Sequence, residues 1–167
     1  MTAALALAVL EAFGPTRRAH AGAEARARIY AAQVELAAAA ARVDPYIVVA
    51  LIERESSWHE GEVGKKGELG LMQLLPHSNA TKGFEHHLSA LLKAPVNIRV
   101  GVAWMAHKRY ACHCVNPLIW LSAYKGLPCR PSTYSRAIVA RAAELRALGG
   151  RLVVAAGACG RAGEGEP

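Results

Sequence analysis

The sequence has few acidic residues, few aromatic residues and no long apolar run. Thirteen Asp and Glu residues stand against twenty Lys and Arg residues, which gives a formal net charge of +7 and a pI near 9.5. This balance favours an anionic partner, such as nucleic acid, an acidic membrane or the anionic bacterial wall, without choosing among them. No run approaches the roughly 18 apolar residues that a membrane-spanning helix needs, so no transmembrane segment is expected.

The chain also lacks an internal repeat of 20–50 residues and any strand-like alternation long enough to build a sheet. Its apolar residues recur instead at helical spacing, between turn signals. We therefore predict an all-α fold, with helices at about 22–43, 45–57, 95–110, 116–124 and 132–148. At 167 residues, the chain is long enough for one domain with a hydrophobic core.

The two ends of the chain differ in composition from the rest. The stretch "TAALALAVL" is a short apolar run of signal-peptide type, and "AHA" before Gly22 is a small-x-small cleavage pattern. No Lys or Arg precedes the run, and Glu11 follows it, so an Ala-rich N-terminal helix is the alternative. We predict an export signal at 1–21, a folded domain at 22–148 and a flexible tail at 149–167.

One carboxylate near the end of the second predicted helix falls on its apolar side. At about 100° per residue, Glu55 lies between Val48, Leu51 and Ile52, whereas Glu53 lies on the opposite, solvent-facing side. Burial and the negative end of the helix dipole both favour the neutral form of a carboxyl group. The position therefore suits a general acid, and pairing with an internal Arg or Lys, or capping of the following loop, is the structural alternative.

A Gly-rich loop follows the buried acid and ends in "GLMQ". The segment "AARVDPYIVVALIERESSWHEGEVGKKGELGLMQLLP" resembles the first half of the lytic transglycosylase domain in the lysozyme-like superfamily. That family pairs a Glu-Ser at a helix end with Gly-Leu-Met-Gln about a dozen residues later. Later segments resemble the family in the same order: "PVNIRVGVAWM" its Asn-Ile-x-x-Gly helix start, "WLSAYKG" its Ala-Tyr-Asn-x-Gly segment, and "STYSRAIV" the start of its last helix.

This resemblance implies a compact lysozyme-like domain with a substrate groove, and a reaction. Such enzymes cleave peptidoglycan between N-acetylmuramic acid and N-acetylglucosamine without water and leave a 1,6-anhydromuramoyl end. By position, Glu55 would act as acid and then as base. The side chains of Ser56, Met72, Gln73 and Tyr124 would shape the groove and bind the muramoyl residue. The resemblance implies no cofactor and no metal.

The scarcity of carboxylates is consistent with one-acid chemistry. Ordinary glycosidases use two carboxylates about 5–9 Å apart, whereas the single aspartate of this chain, Asp44, is expected to cap a helix. The candidates for a second carboxylate are Glu60, Glu62, Glu68 and Glu85. A water-using muramidase that recruits Glu68 is therefore an open alternative.

The chain departs from the family pattern in two places. In "AYKGLP", Lys125 stands where the family usually has Asn, and Gly126 comes one position early. We keep Tyr124 as a binding residue and assign no catalytic role to Lys125. Glu68 is the second departure, since the family often has a small residue there.

Four cysteines allow three disulfide pairings. In an exported protein, a disulfide from Cys112 or Cys114 to Cys129 would brace the segment around Tyr124, at about 3 kcal/mol for a loop of this length. A metal site built from "CHC" with His107, or with His86 and His87, is the rival, although the paired Cys-x2-Cys spacing of structural zinc is absent. In a cytosolic protein, these residues would be reduced thiols.

The resulting expectation is a monomeric lytic transglycosylase, exported to the periplasm or the exterior of a bacterium. Its partner is peptidoglycan glycan, and an envelope-spanning machine is a candidate protein partner. A catalytically silent wall-binding or assembly module is an alternative from another functional class. Nucleic-acid binding is not expected, because the Arg residues are spread over several helices and no stacking aromatics interleave with them.

Overall fold

The computed structural model describes residues 3–149. The prediction of an all-α fold is confirmed, since this part of the chain contains no strand beyond isolated bridges. The α-helices are α1 (Ala3–Ala12), α2 (Gly14–Arg18), α3 (Ala23–Ala41), α4 (Pro45–Ser56), α5 (Ala94–Ala111), α6 (Pro117–Tyr124) and α7 (Thr133–Gly149). Two short 3₁₀ helices, Asn79–Thr81 and Leu88–Leu92, precede α5.

Helix α4 is the centre of the core. Every residue from Tyr46 to Ile52 is buried, because α1, α3 and α7 pack around it. A helix that is apolar on all sides is stable only when it is surrounded in this way. The fold therefore places the C-terminal end of α4, which carries Glu55, where several other elements converge.

Local signals in the sequence account for the start of the helices around this end. The Asp44 carboxylate accepts a hydrogen bond from the backbone N–H of Tyr46 at 3.0 Å, and Pro45 occupies the first turn. Asp44 also forms an ion pair with Arg146 of α7. At the start of α7, the Ser132 hydroxyl accepts a hydrogen bond from the backbone N–H of Ser135 at 3.1 Å and so caps the helix.

The N-terminal segment packs against the rest of the domain. Leu5 and Val9 of α1 are buried, and α1 contacts α3, α4 and α7. Phe13 makes edge contacts with the rings of Tyr30 and Trp58, at centroid distances of 5.9 and 5.5 Å. The segment predicted as an export signal is thus helical and partly buried in this structure, and its cleavage stays a prediction.

A disulfide joins Cys112, at the end of α5, to Cys129, with the two Cα atoms 5.6 Å apart. One of the two predicted pairings with Cys129 is therefore confirmed. Cys114 is also disulfide-bonded, while Cys159 and the predicted tail beyond Gly149 lie outside the described residues. Between residues 3 and 149, no helix is both long enough and apolar enough to cross a membrane.

Candidate active site

A cavity of about 280 Å³ opens at the C-terminal end of α4. Its wall is built from segments that are distant in sequence: the end of α4, the loop between α4 and the first 3₁₀ helix, α5 and the end of α6. The charged and aromatic lining residues are Glu55, Lys66, Glu68, Trp104, Lys108, Tyr124 and Lys125. The cavity therefore combines two carboxylates with three ammonium groups and two aromatic rings.

Glu55 lies in the wall of this cavity with only 6% of its side chain exposed. Its Oε1 accepts a hydrogen bond from the hydroxyl of Tyr134, and its Oε2 accepts one from Lys125 Nζ at 2.9 Å. The predicted burial of this acid is confirmed, and so is the structural alternative that it pairs with a lysine. Both features occur together at one residue.

Glu53, two positions earlier on α4, has a different environment. Its carboxylate forms a two-point ion pair with Arg141 of α7, at 2.9 and 3.0 Å. The hydrogen bond to Glu53, and to a smaller extent the charge of that carboxylate, raise the pKa of the Arg141 guanidinium further above its ordinary value. Glu53 was expected to stay in water, but α7 covers this side of α4 and supplies a cation. It does not line the cavity.

The "GLMQ" segment forms a tight turn that is attached to α5 by a single amide side chain. Asn97 is fully buried, and its Oδ1 accepts a hydrogen bond from the backbone N–H of Met72 at 2.7 Å. Its Nδ2 donates to the carbonyl oxygens of Leu69 and Leu91, at 2.9 and 2.6 Å. The Asn-Ile-x-x-Gly pattern thus contributes an internal connector between the turn and α5.

Two glycines make room for this connection. Gly70 has φ +73°, and a Cβ there would lie 2.6 Å from the carbonyl oxygen of Leu91. A Cβ on Gly101 of α5 would lie 2.9 Å from both Cβ and Cε of Met72. Real Cβ atoms do not approach neighbours so closely, so both positions require glycine for the turn to dock in this way.

The docked turn presents Gln73 to the cavity. Gln73 has φ +48°, and its side-chain Nε2 donates to the carbonyl oxygen of Gly70 at 2.9 Å. A positive φ at a residue other than glycine is uncommon, and such strain concentrates at functional sites. The structure therefore brings Gln73 and Glu55, both predicted site residues, into one cavity wall.

Tyr124, at the end of α6, also lines the cavity. Its hydroxyl donates to the carbonyl oxygen of Met72 at 2.8 Å, so the ring is held against the docked turn. Burial, and then the charge of Glu55, raise the pKa of the Tyr124 hydroxyl well above its ordinary value. Tyr124 is thus a neutral residue that joins α6 to the turn carrying Gln73.

Ser56 and Met72 are placed differently from the other predicted site residues. Ser56 is buried, and its hydroxyl donates to the carbonyl oxygen of Ile52 at 3.2 Å within α4. The Met72 side chain is fully buried between the turn and Gly101 of α5. Neither residue lines the cavity, so each supports its wall from behind.

Tyr134 is a site residue that was not selected from the sequence. It is the second residue of α7 and is 8% exposed, and its hydroxyl donates a hydrogen bond to Glu55. Burial, and then the charge of Glu55, raise the pKa of this hydroxyl far above its ordinary value. The signal was its position in the family-like segment "STYSRAIV", but nothing in that segment indicated a contact with Glu55.

The sequence predicts no catalytic role for Lys125, yet it is the cation that contacts Glu55. It follows the last residue of α6, and its side chain is 47% exposed. Its Nζ lies 5.7 Å from the centre of the Tyr134 ring as well as 2.9 Å from Glu55. The departure from the family pattern therefore falls on a direct partner of the candidate acid.

Glu68 lies in the same cavity wall as Glu55. One of its carboxylate oxygens accepts a hydrogen bond from the backbone N–H of Lys66 at 2.9 Å. Backbone hydrogen bonds from its own N–H and from Lys66 lower the pKa of this carboxyl below its ordinary value, and Lys125 adds a smaller effect. Glu68 is therefore ionised at neutral pH.

The described residues contain no cluster of three or more side chains suited to holding a metal ion. The rival interpretation of "CHC" as a metal site is contradicted, because Cys112 and Cys114 are both in disulfides. His86 and His87 are exposed, in the segment before the second 3₁₀ helix.

Comparison with known proteins gives one family. The chain has no match among curated proteins. A family model described as the transglycosylase SLT domain matches residues 33–130, more than half of the chain. This range includes Glu55, the docked turn, α5 and Tyr124, and it ends just before α7. It accounts for the lysozyme-like arrangement of helices around the cavity and implies peptidoglycan as the substrate. The chain therefore belongs to the transglycosylase SLT family of the lysozyme-like superfamily.

Proposed function

We propose that this protein is a peptidoglycan lytic transglycosylase in which Glu55 is the only acid and base. The observation that carries the proposal is the position of Glu55: its side chain is 6% exposed, yet it lines an open cavity and is held by Tyr134 and Lys125. A nearly buried carboxylate beside an accessible groove suits proton transfer to a polymeric substrate.

The reaction has two proton transfers. In its neutral form, Glu55 gives its proton to the glycosidic oxygen between N-acetylmuramic acid and N-acetylglucosamine, and the bond from that oxygen to C1 of the muramoyl residue breaks. The N-acetyl oxygen of the same sugar relieves the positive charge at C1. The Glu55 carboxylate then removes the proton from the 6-hydroxyl, whose oxygen bonds to C1 and closes the 1,6-anhydro ring. The acid is restored and no water is consumed.

The other lining residues have roles in binding. Gln73 and Tyr124, carried on the docked turn and at the end of α6, would orient the muramoyl residue over Glu55. The half-buried Trp104, on α5, also lines the cavity, with the His107 imidazole stacked on its ring and Lys108 Nζ 4.2 Å from the ring centre. Ser56 and Met72 would keep the groove wall in place without touching the substrate.

The test is mass spectrometry of the products released from purified peptidoglycan. Wild-type protein is expected to release muropeptides with anhydromuramoyl ends, lighter by one water than their reducing-end counterparts. The substitution Glu55→Gln is expected to abolish release while wall binding in a pelleting assay and the melting temperature stay close to wild type. Glu53→Gln is the matched control, because it makes the same change on the same helix outside the cavity.

Hydrolysis of the same bond is the second candidate function, and the position of Glu68 favours it. An ionised carboxylate in the same cavity as the acid could remove a proton from an attacking water. Products with ordinary reducing ends, lost in Glu68→Gln, would establish this reaction. Wall binding without any cleavage would instead support a silent wall-binding module.

We further propose that the protein acts as a monomer outside the cytoplasm, in the periplasm or at the cell exterior, where it can serve an envelope-spanning machine. The Cys112–Cys129 disulfide supports this location, because such bonds persist in oxidising compartments. Labelling free thiols in protein isolated from the cell tests it: full blocking supports export, and four reactive thiols would place the protein in the cytosol.

A further inference from the structure

In the free protein, each oxygen of the Glu55 carboxylate accepts a hydrogen bond, and one of the two donors is a cation. Tyr134 donates to Oε1 and Lys125 donates to Oε2. A general acid must carry its proton on one oxygen and direct that oxygen at the leaving group of the substrate. An ammonium group at hydrogen-bond distance favours the carboxylate over the neutral acid, so Lys125 must move away before Glu55 readily carries that proton.

The two donors differ in their freedom to move. Tyr134 is 8% exposed and belongs to α7, and the guanidinium of Arg54 lies over its ring at 5.2 Å. The Lys125 side chain is 47% exposed, carries four rotatable methylenes and is followed by Gly126 at φ +81°. Displacing the lysine exposes its ammonium group to water, whereas displacing the tyrosine would open the core. Lys125 is the donor that can leave.

We propose that Lys125 is a positioning residue that keeps Glu55 as a carboxylate in the free protein, and that a bound glycan strand displaces its ammonium group so that Glu55 takes up a proton from solvent. This inference rests on the proposed role of Glu55 as the acid. It gives a physical role to the lysine that replaces the asparagine usual in the family. It also predicts that glycan binding and proton uptake are coupled.

Other charged and titratable groups surround Glu55 and also contribute to its environment. They come from α4, the loop, α5, α6 and α7, and comprise Arg54, Lys66, Glu68, Lys108, Tyr124 and Tyr134. Among the described residues, the hydrogen bonds to the Glu55 carboxylate come from Tyr134 and Lys125 alone. A substitution that removes the Lys125 charge therefore removes the cation that is hydrogen-bonded to Glu55 and leaves the other groups around Glu55 in place.

The experiment compares Lys125→Met, which removes the charge and keeps the stem, with Lys125→Arg, which keeps the charge. The rate of anhydromuropeptide release is measured as kcat/KM across pH. An opposite charge at hydrogen-bond distance disfavours protonation of a carboxyl, so the alkaline fall in activity should move upward by about one pH unit in Lys125→Met. At a pH above the wild-type fall, kcat/KM of Lys125→Met should therefore be about tenfold higher than that of the wild type. Lys125→Arg should keep the wild-type profile.

The exposed Lys65, which does not line the cavity, supplies the control. Lys65→Met lowers the net charge equally and should leave the pH profile unchanged. The proposal is overturned if Lys125→Met has the wild-type profile, if Lys125→Arg shifts as far as Lys125→Met, or if Lys125→Met loses activity at every pH with an unchanged melting temperature.

A binding measurement separates this inference from the proposed function. The affinity of an N-acetylglucosamine oligomer is measured by calorimetry in buffers of different ionisation enthalpy, which counts protons taken up without any turnover. Uptake by wild-type protein that is reduced in Lys125→Met and absent in Glu55→Gln supports the inference, even where no cleavage is detected. Equal uptake in wild type and Lys125→Met overturns it, even where cleavage is confirmed.

Discussion

The hydroxyl of Tyr134 donates a hydrogen bond to Oε1 of Glu55, which joins the start of the last helix to the end of the central one. The match to the SLT domain ends at residue 130, so this hydrogen bond reaches into the matched domain from outside it. Because the tyrosine is buried and neutral, it can orient the acid without competing for its charge.

Tyr134→Phe should therefore reduce both activity and stability. A hydrogen bond to a charged group contributes about 1.5–3 kcal/mol, so its loss corresponds to roughly a ten- to hundredfold decrease in kcat/KM. The measurement is anhydromuropeptide release together with the melting temperature. Tyr110→Phe is the control, since Tyr110 is 78% exposed and should keep full activity. Full activity in Tyr134→Phe would remove this hydrogen bond from the mechanism.

The buried tyrosines predict how stability depends on alkaline pH. Burial raises the pKa of the Tyr30, Tyr124 and Tyr134 hydroxyls above their ordinary value near 10. Above pH 10, the unfolded chain releases these protons and the folded chain keeps them. The free energy of unfolding is unaffected by these groups below pH 10 and falls above it, by up to about 1.4 kcal/mol per tyrosine per pH unit.

Ultraviolet titration of tyrosinate, combined with thermal unfolding, measures this effect. The folded protein should retain protonated tyrosines past pH 11, and its melting temperature should decrease steeply there. In Tyr134→Phe, the decrease should be smaller, because one of the hydroxyls with a raised pKa has been removed. Complete ionisation of all tyrosines near pH 10 in folded protein would contradict the prediction.

The Cys112–Cys129 disulfide should stabilise both the domain and its site. It encloses α6, and with it Tyr124 and Lys125. Replacing both cysteines by serine should lower the free energy of unfolding by about 3 kcal/mol, which corresponds to a fall in Tm of roughly 10 °C for a chain of this size. Circular dichroism melting of the double variant checks this value, and an unchanged Tm would contradict it.

The N-terminal segment offers a direct comparison between residues 1–167 and residues 22–167. Leu5, Val9 and Phe13 are buried in the domain, and their removal would expose the apolar groups they cover, including the Trp58 ring. We expect the shorter chain to unfold at a lower temperature. Equal melting temperatures would indicate that the segment is dispensable to the fold, as expected of a cleaved signal. N-terminal sequencing of protein isolated from the cell identifies the form that the cell keeps.

Local patterns allowed most of the helices to be predicted. The Asp44-Pro45 pair begins a helix as expected, because side-chain capping and a proline at the first turn act over a few residues. Asn116-Pro117 begins α6 in the same way. The burial of Glu55 followed from helical periodicity. The ion pair of Glu53 with Arg141 did not, since a helical wheel cannot show that α7 covers the side of α4 opposite the cavity.

The partners of the acid could not be read from the sequence. Lys125 and Tyr134 lie 70 and 79 positions from Glu55, and their contacts depend on how α6 and α7 pack rather than on any local pattern. Met72 illustrates the opposite limit: its motif was identified, but its side chain faces Gly101 of α5 instead of the cavity. A motif can indicate which residues matter without indicating which way they face.

The long separation between Glu55 and its partners has a consequence for the order in which the protein becomes active. Synthesis proceeds from the N-terminus, so Glu55 and the docked turn emerge well before Lys125 and Tyr134. No growing fragment that stops before residue 134 contains a complete site. The candidate site is therefore complete only when the last helix has folded into place.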